Sequence, residues 1–246
     1  MLDQAGVDRW LTDLVGRLRQ SFGKRLIYVG HHGSWARGEP RSGSDVDTTV
    51  VVDQVESRDL AAFRDIMSGM PDARALASGI FLSVSELKAL RRFELVQFFY
   101  GCRALCGTID GIIDRPGPAD LREQIQVISS ANLFHARHYL VYPHDLDRVV
   151  HKLYYPFKEC FYALQSWVLL CEGGFIPTRD DLAGHLSAAD DKAVITVARN
   201  WHDLERDREE RPLYYIEMLE RWSRNMLLRL PTMPADQAHE EERGRC

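Results

Sequence analysis

Gly33 and Ser34, followed after ten residues by Asp45-Val46-Asp47, are the part of this chain best equipped for chemistry. A glycine permits backbone conformations, and a closeness of approach, that a side chain forbids. Ser34 is placed to cap a short helix beginning at Trp35-Ala36-Arg37, which leaves free amides and the positive end of the helix dipole for an anion the size of a phosphate. Residues 45–53 have the composition of a strand, whose period of two sends Asp45 and Asp47 to one face and Val46 and Val50 to the other. Two carboxylates brought that close repel each other unless a hard cation sits between them. The motif therefore implies Mg²⁺ or Mn²⁺ together with a nucleoside triphosphate.

The surrounding elements must hold these residues in place. Leu26-Ile27-Tyr28-Val29 is a short apolar run ending at Gly30 and reads as a buried strand. Val7, Trp10, Leu11, Leu14, Val15 and Leu18 recur at helical spacing, so a first amphipathic helix ends before Gly23 and covers the sheet. A further helix spans 57–69 around Leu60, Phe63 and Met67, and Ser85 is expected to cap another running through Lys88 to Arg92. The fold class is α+β: a small mixed sheet flanked by helices over residues 1–115, divided at Pro116-Gly117-Pro118 from an all-α bundle over 116–230, with a polar tail over 231–246 that includes Asp236 and Glu240-Glu241-Glu242.

His32-Gly33-Ser34-Trp35-Ala36-Arg37-Gly38-Glu39 with Ser44-Asp45-Val46-Asp47 resembles the signature of the DNA polymerase beta-like nucleotidyltransferases, in particular their minimal and antibiotic-modifying branches. The resemblance is sharpest over 28–53 and extends, in element order, to about Gly107. It implies transfer of a nucleoside monophosphate to an acceptor hydroxyl with release of pyrophosphate. Gly33 and Ser34 would then hold the outgoing phosphates and Asp45 and Asp47 the metal ions, with Ser44 beside them. Arg37 is read either as a phosphate contact or as a partner of Asp45 or Glu39. Relatives carry a third carboxylate on a neighbouring strand, but the expected strand here, 77–84, holds no acid. Glu86 and Asp72 lie just outside it, and Glu123, Glu159 and Glu172 are possible bases from the second half. The neighbours His31 and His32 point oppositely in extended chain, which argues for structural or gating roles rather than a metal site.

From 119 onward only helical patterns remain. Leu121, Ile125 and Ile128 open a helix ending near Tyr142-Pro143, and Leu153, Phe157, Phe161, Leu164 and Val168 form a stripe closed by Gly173-Gly174. Pro156 either kinks that helix or marks its start. Thr178 with Asp181 starts a short helix through Leu186, and two more run over about 190–206 and 212–230, giving about five. The pattern Tyr154-Tyr155, Phe157, Phe161-Tyr162-Ala163-Leu164 and the turn Gly173-Gly174-Phe175-Ile176-Pro177-Thr178 resemble the helical domain of kanamycin nucleotidyltransferase-type enzymes and HEPN proteins. That resemblance places Lys158 opposite the triphosphate. Arg137 and His144 have the loose spacing of HEPN ribonucleases, although Pro143 breaks the helix between them.

A net charge of -5 argues against a broad phosphate-neutralising surface, without excluding RNA as a partner. No signal-peptide pattern or membrane-length apolar run is present, so a cytoplasmic enzyme is expected. Five cysteines, Cys102, Cys106, Cys160, Cys171 and Cys246, fit neither a disulfide framework nor a zinc spacing. The leading expectation is an adenylyltransferase using ATP on a small hydroxylated acceptor, aminoglycoside-like, bound in the cleft between the domains. Alternatives are adenylylation of protein or RNA, with an antitoxin-like module fused to a HEPN-like domain, or a catalytically weak nucleotide-binding protein. The aromatic density near Tyr154 and Tyr162 would also suit a homodimer contact.

Overall fold

The structure is a computed structural model that describes residues 3–143 and 146–232. His144, Cys246 and all of the 231–246 tail beyond Thr232 lie outside the described residues. The chain divides into two compact units, one up to Pro116 and one from Gly117.

In the first unit, Asp3 caps α1 (Gln4–Phe22) by accepting the Gly6 amide at 2.7 Å, and the helix buries Val7, Trp10, Leu11, Leu14, Val15 and Leu18 as its spacing requires. Then follow β1 (Leu26–His32), α2 (Gly33–Arg37), β2 (Val46–Val52), α3 (Ser57–Ser68), α4 (Ala73–Leu76), β3 (Ala77–Ser83), α5 (Val84–Ala89), α6 (Leu95–Tyr100) and β4 (Arg103–Cys106). The sheet order is β3-β2-β1-β4, with β1 antiparallel to both neighbours and β2 parallel to β3. This is the small mixed sheet the sequence leads one to expect. Val46, Val50 and Val52 pack with Val7, Trp10 and Leu14 on one face, while Val51 joins Tyr28, Leu87 and Leu95 on the other. The alternation along β2 thus decides which side chains are core and which remain for a site.

Several boundaries differ from the sequence reading. β1 runs on through Gly30, His31 and His32, because its pairing with β2 continues as far as His32↔Asp47. β2 starts at Val46 and ends at Val52, so Asp45 and Asp53 stand outside it. Asp53 and Asp59 both accept from Arg25, at 2.9 and 2.8 Å, which ties the end of β2 and the start of α3 to the entry of β1. The cap of α5 is Ser83, not Ser85, in a reciprocal box with Glu86, and the helix stops at Ala89.

The second unit is all-α, with seven helices among the described residues rather than five: α7 (Pro118–Val141), α8 (Leu146–Lys152), α9 (Tyr154–Glu172), α10 (Arg179–His185), α11 (Ala189–Arg199), α12 (Glu205–Glu210) and α13 (Pro212–Arg229). Leu153 separates α8 from α9, and Pro156 falls in the first turn of α9, where a missing amide costs no intrahelical bond. The stretch read as one helix over 190–206 breaks after Arg199, because Trp201 turns into the core against Phe157, with ring centroids 5.8 Å apart. Asp191, buried on α11, accepts from the Trp222 indole at 2.9 Å and from Arg229 at 2.6 Å, fixing α13 to α11. Among the described residues no helix is long and apolar enough to cross a membrane.

Candidate active site

The strand-turn-helix-strand segment from β1 to β2 builds the site. His32 ends β1 in extended backbone, Gly33 follows at φ +77°, and α2 begins. A Cβ on Gly33 would run into the Asp47 carboxylate, with Asp47 Cγ only 2.8 Å away. The absent side chain of Gly33 is therefore what lets the carboxylate of β2 lie against the turn that ends β1. The two halves of the motif, distant in sequence, touch.

Ser34 is the second residue of α2, not its cap, since His32 occupies the N-cap position without a side-chain bond. The positive φ at Gly33 brings the chain into the helix two residues earlier than the capping argument assumes. Gly38, left-handed at φ +73°, closes α2 by donating its amide to Ser34 and Trp35.

The connection to Asp45 is fixed by Trp35. Its buried indole donates to the Ser44 carbonyl at 3.2 Å, one residue before Asp45. Ser44 also closes a turn with Arg41: its Oγ accepts the Arg41 amide at 2.9 Å, and its own amide donates to the Arg41 carbonyl at 3.0 Å. Asp45 is exposed just before β2, whereas Asp47 is half-buried within it. Of the two partners considered for Arg37, the structure shows Glu39, at 3.4 Å, with both side chains largely covered.

Asp47 shares its sheet face with His32, whose Nε2 lies 3.2 Å from Thr49 Oγ1, and with Cys102 just before β4. Burial pushes the Cys102 thiol up to about 12, and the Asp47 charge adds to the shift. Neither Trp35 nor Cys102 figures among the candidates drawn from sequence. Trp35 had a local signal in its place inside the motif, while Cys102 reaches Asp47 only through sheet pairing.

His31 points the other way. It is fully buried, its Nδ1 lies 3.4 Å from Arg103 Nη2, and Arg103 in turn pairs with Asp8 of α1 at 3.0 Å. Burial, then the charges of Arg103 and His32, hold its pKa down at about 4, against a weaker opposite pull from Asp8. A histidine that is neutral when folded and titrates near 6.5 when unfolded contributes stability above pH 6.5 and loses it as pH falls toward 4. Between pH 7 and pH 5 urea unfolding should show a loss on the order of 2 kcal/mol. His31→Gln should show a clearly smaller drop over the same interval, and an equal drop in both proteins would contradict this origin.

Residues 11–98 match the family model described as a nucleotidyltransferase domain. They form a nucleotidyltransferase domain of the polymerase beta-like superfamily. Among solved structures the chain is similar to spectinomycin adenyltransferase AAD(9) from Enterococcus faecialis, crystallised with ATP and spectinomycin, at 14% identity and a TM-score of 0.53. That match covers 89% of this chain and 98% of the other, and at such identity it is a likeness of fold. No curated protein matches.

Within the nucleotidyltransferase domain, β3 carries no acid, and the two acids flanking it are engaged or misplaced. Glu86 Oε2 accepts from both the amide and the hydroxyl of Ser83 at 2.7 Å, and those bonds hold its carboxyl below the usual range. Ser83 pairs with Val52, five residues along the ladder from Asp47, which is about 16 Å at strand rise. Asp72 lines a groove of about 940 Å³ with Thr48, Phe63 and Met67, side chains of the face opposite Asp47. No group of three His, Cys, Asp or Glu converges as a metal cage among the described residues.

The remaining candidates lie in the second unit. Lys158 and Glu159 are half-buried on α9, and burial raises the Glu159 carboxyl, opposed by His135. Glu172 lies 2.7 Å from His185 Nδ1, and Glu123 is half-buried on α7. Arg137 is engaged with Glu220 at 3.0 Å, and its expected partner His144 lies outside the described residues.

Proposed function

We propose that this protein transfers a nucleoside monophosphate, AMP from ATP, to a hydroxyl of a small acceptor and releases pyrophosphate. The observation that carries this reading is the seating of the Asp47 carboxylate on Gly33 inside a nucleotidyltransferase domain. A turn stripped of its side chain beside a strand carboxylate suits a phosphate chain neutralised by a cation. The solved neighbour, crystallised with ATP and a small molecule, supports the choice of nucleotide and acceptor class.

Asp45 and Asp47 would hold Mg²⁺ or Mn²⁺: both are hard oxygen donors, and the space over Gly33 that a Cβ would fill leaves the Asp47 carboxylate room beside the turn. Such an ion, when bound, draws charge off the phosphate oxygens and orients them. The chain's own residues do the rest. The amide of Gly33 and the hydroxyl of Ser34 would take oxygens of the leaving phosphates, while Trp35 and Ser44 hold Asp45 in place. Arg37 acts through Glu39 on the turn, and Lys158 is proposed as a phosphate contact from α9.

Ser34→Ala should weaken nucleotide use by about one hydrogen bond, ~1 kcal/mol or roughly fivefold in kcat/KM. A thousandfold loss would give the serine a different role. The acceptor class is tested by pyrophosphate release from ATP with hydroxylated small molecules, with protein and with RNA offered in parallel. Release that rises only with the small molecules supports the proposal, and release driven by protein or RNA overturns its acceptor class.

A further inference from the structure

The two edges of the sheet in the first unit are built differently. At one edge, β4 has four residues, opens on Arg103, and shifts register against β1 between Val29 and Gly30. Short length, a charge and an irregular ladder are devices by which edge strands avoid pairing with other chains. The other edge, β3, has none of them. Its seven residues, Ala77-Ser78-Gly79-Ile80-Phe81-Leu82-Ser83, hold no charge and no proline, and all seven pair with β2 without a shift. Among the described residues no strand lies on the far side of β3, and Gly79 and Ile80 are exposed, Ile80 at 39%. A row of backbone amides and carbonyls is thus left open to another strand.

What fits this edge follows from its own residues. Antiparallel pairing of β3 with a second copy about an axis at Ile80, the midpoint of the strand, uses the whole strand and sets Gly79 of each copy opposite Phe81 of the other. An aromatic ring across from an edge glycine compensates for the missing side chain. Ile80 then meets its own copy, and no charge opposes a like charge within the strand. The flanks are complementary as well. Asp72 and Arg74 precede β3, while Glu86 and Lys88 follow it, and antiparallel pairing turns the leading flank of one copy toward the trailing flank of the other, Arg74 toward Glu86 and Asp72 toward Lys88. Among the described residues Arg74 and Lys88 make no ion pair of their own. We propose that the protein forms a two-fold dimer through β3, which joins two four-stranded sheets into one. Ser78, the ladder neighbour of Asp47, lies on this pairing strand, so Leu82 of the second copy comes to border the face that carries Asp47.

Sedimentation equilibrium of the full chain up to about 200 μM, above the dissociation constant of a micromolar interface, tests this together with backbone hydrogen exchange on the dilute and the concentrated protein. A reversible dimer is expected, with exchange slowed over residues 77–83 in the concentrated sample. Ile80→Lys, which sets two ammonium groups against each other at the axis, should weaken the dimer about tenfold or more while thermal unfolding stays near that of the wild-type protein. A monomer at every concentration overturns the proposal, and so does a dimer that leaves 77–83 unprotected, such as one that protects the 154–162 segment instead. A dimer kept at full strength by a folded Ile80→Lys overturns it too. Should Ile80→Lys fail to fold, the exchange pattern of the wild-type protein decides alone. None of these results touches nucleotidyl transfer.

Discussion

Asp47→Asn is expected to lower metal-dependent nucleotidyl transfer by about a thousandfold or more, ~4 kcal/mol of transition-state stabilisation. The amide keeps the shape that lies against Gly33 and loses the charge that would hold a cation. The fold should persist, because Val46, Val50 and Val52, all fully buried on the other face, carry the packing of β2 against α1. Asp45→Asn should act in the same direction, from an exposed position where a structural cost is smaller still. Pyrophosphate release measured alongside thermal unfolding separates the two effects. Near-normal release from a well-folded Asp47→Asn would remove Asp47 from the chemistry.

Gly33→Ala should be nearly as damaging for a different reason. Alanine at φ +77° is strained by about 1 kcal/mol, and its Cβ would push the Asp47 carboxylate off the turn. A displacement of ~1 Å at a catalytic group costs about a hundredfold in rate. Gly38 is the control. It has nearly the same backbone, φ +73°, but nothing lies within 4 Å of a Cβ there. Gly38→Ala should therefore cost stability alone, about 1 kcal/mol, with turnover within a few-fold of wild type. Equal effects on turnover from the two alanines would show that backbone strain, not the contact with Asp47, sets the rate.

What could be read in advance was the part written in local pattern. The helical spacing of Val7 to Leu18 and the order strand, Gly33 turn, short helix, strand with Asp47 all depend on near neighbours, and all are present. β4 has only four residues, Arg103-Ala104-Leu105-Cys106, without alternation, and exists because β1 offers an edge to pair with. The nearness of Cys102 to Asp47 follows from that pairing and has no local trace. The place of Ser78 depends on β3 running parallel to β2, an orientation no single stretch encodes. Trp201 likewise interrupts a helical pattern because the core of the second unit has room for its ring, which is a tertiary demand overriding a local one.

Nucleotidyl transfer is tested most directly by following which phosphorus of ATP reaches the acceptor. With ATP labelled separately at the α- and γ-phosphates, and Mg²⁺ present, the α label should appear on the acceptor while the γ label leaves as pyrophosphate. Appearance of the γ label on the acceptor, with ADP as the other product, would contradict the reaction assigned to Gly33, Ser34, Asp45 and Asp47.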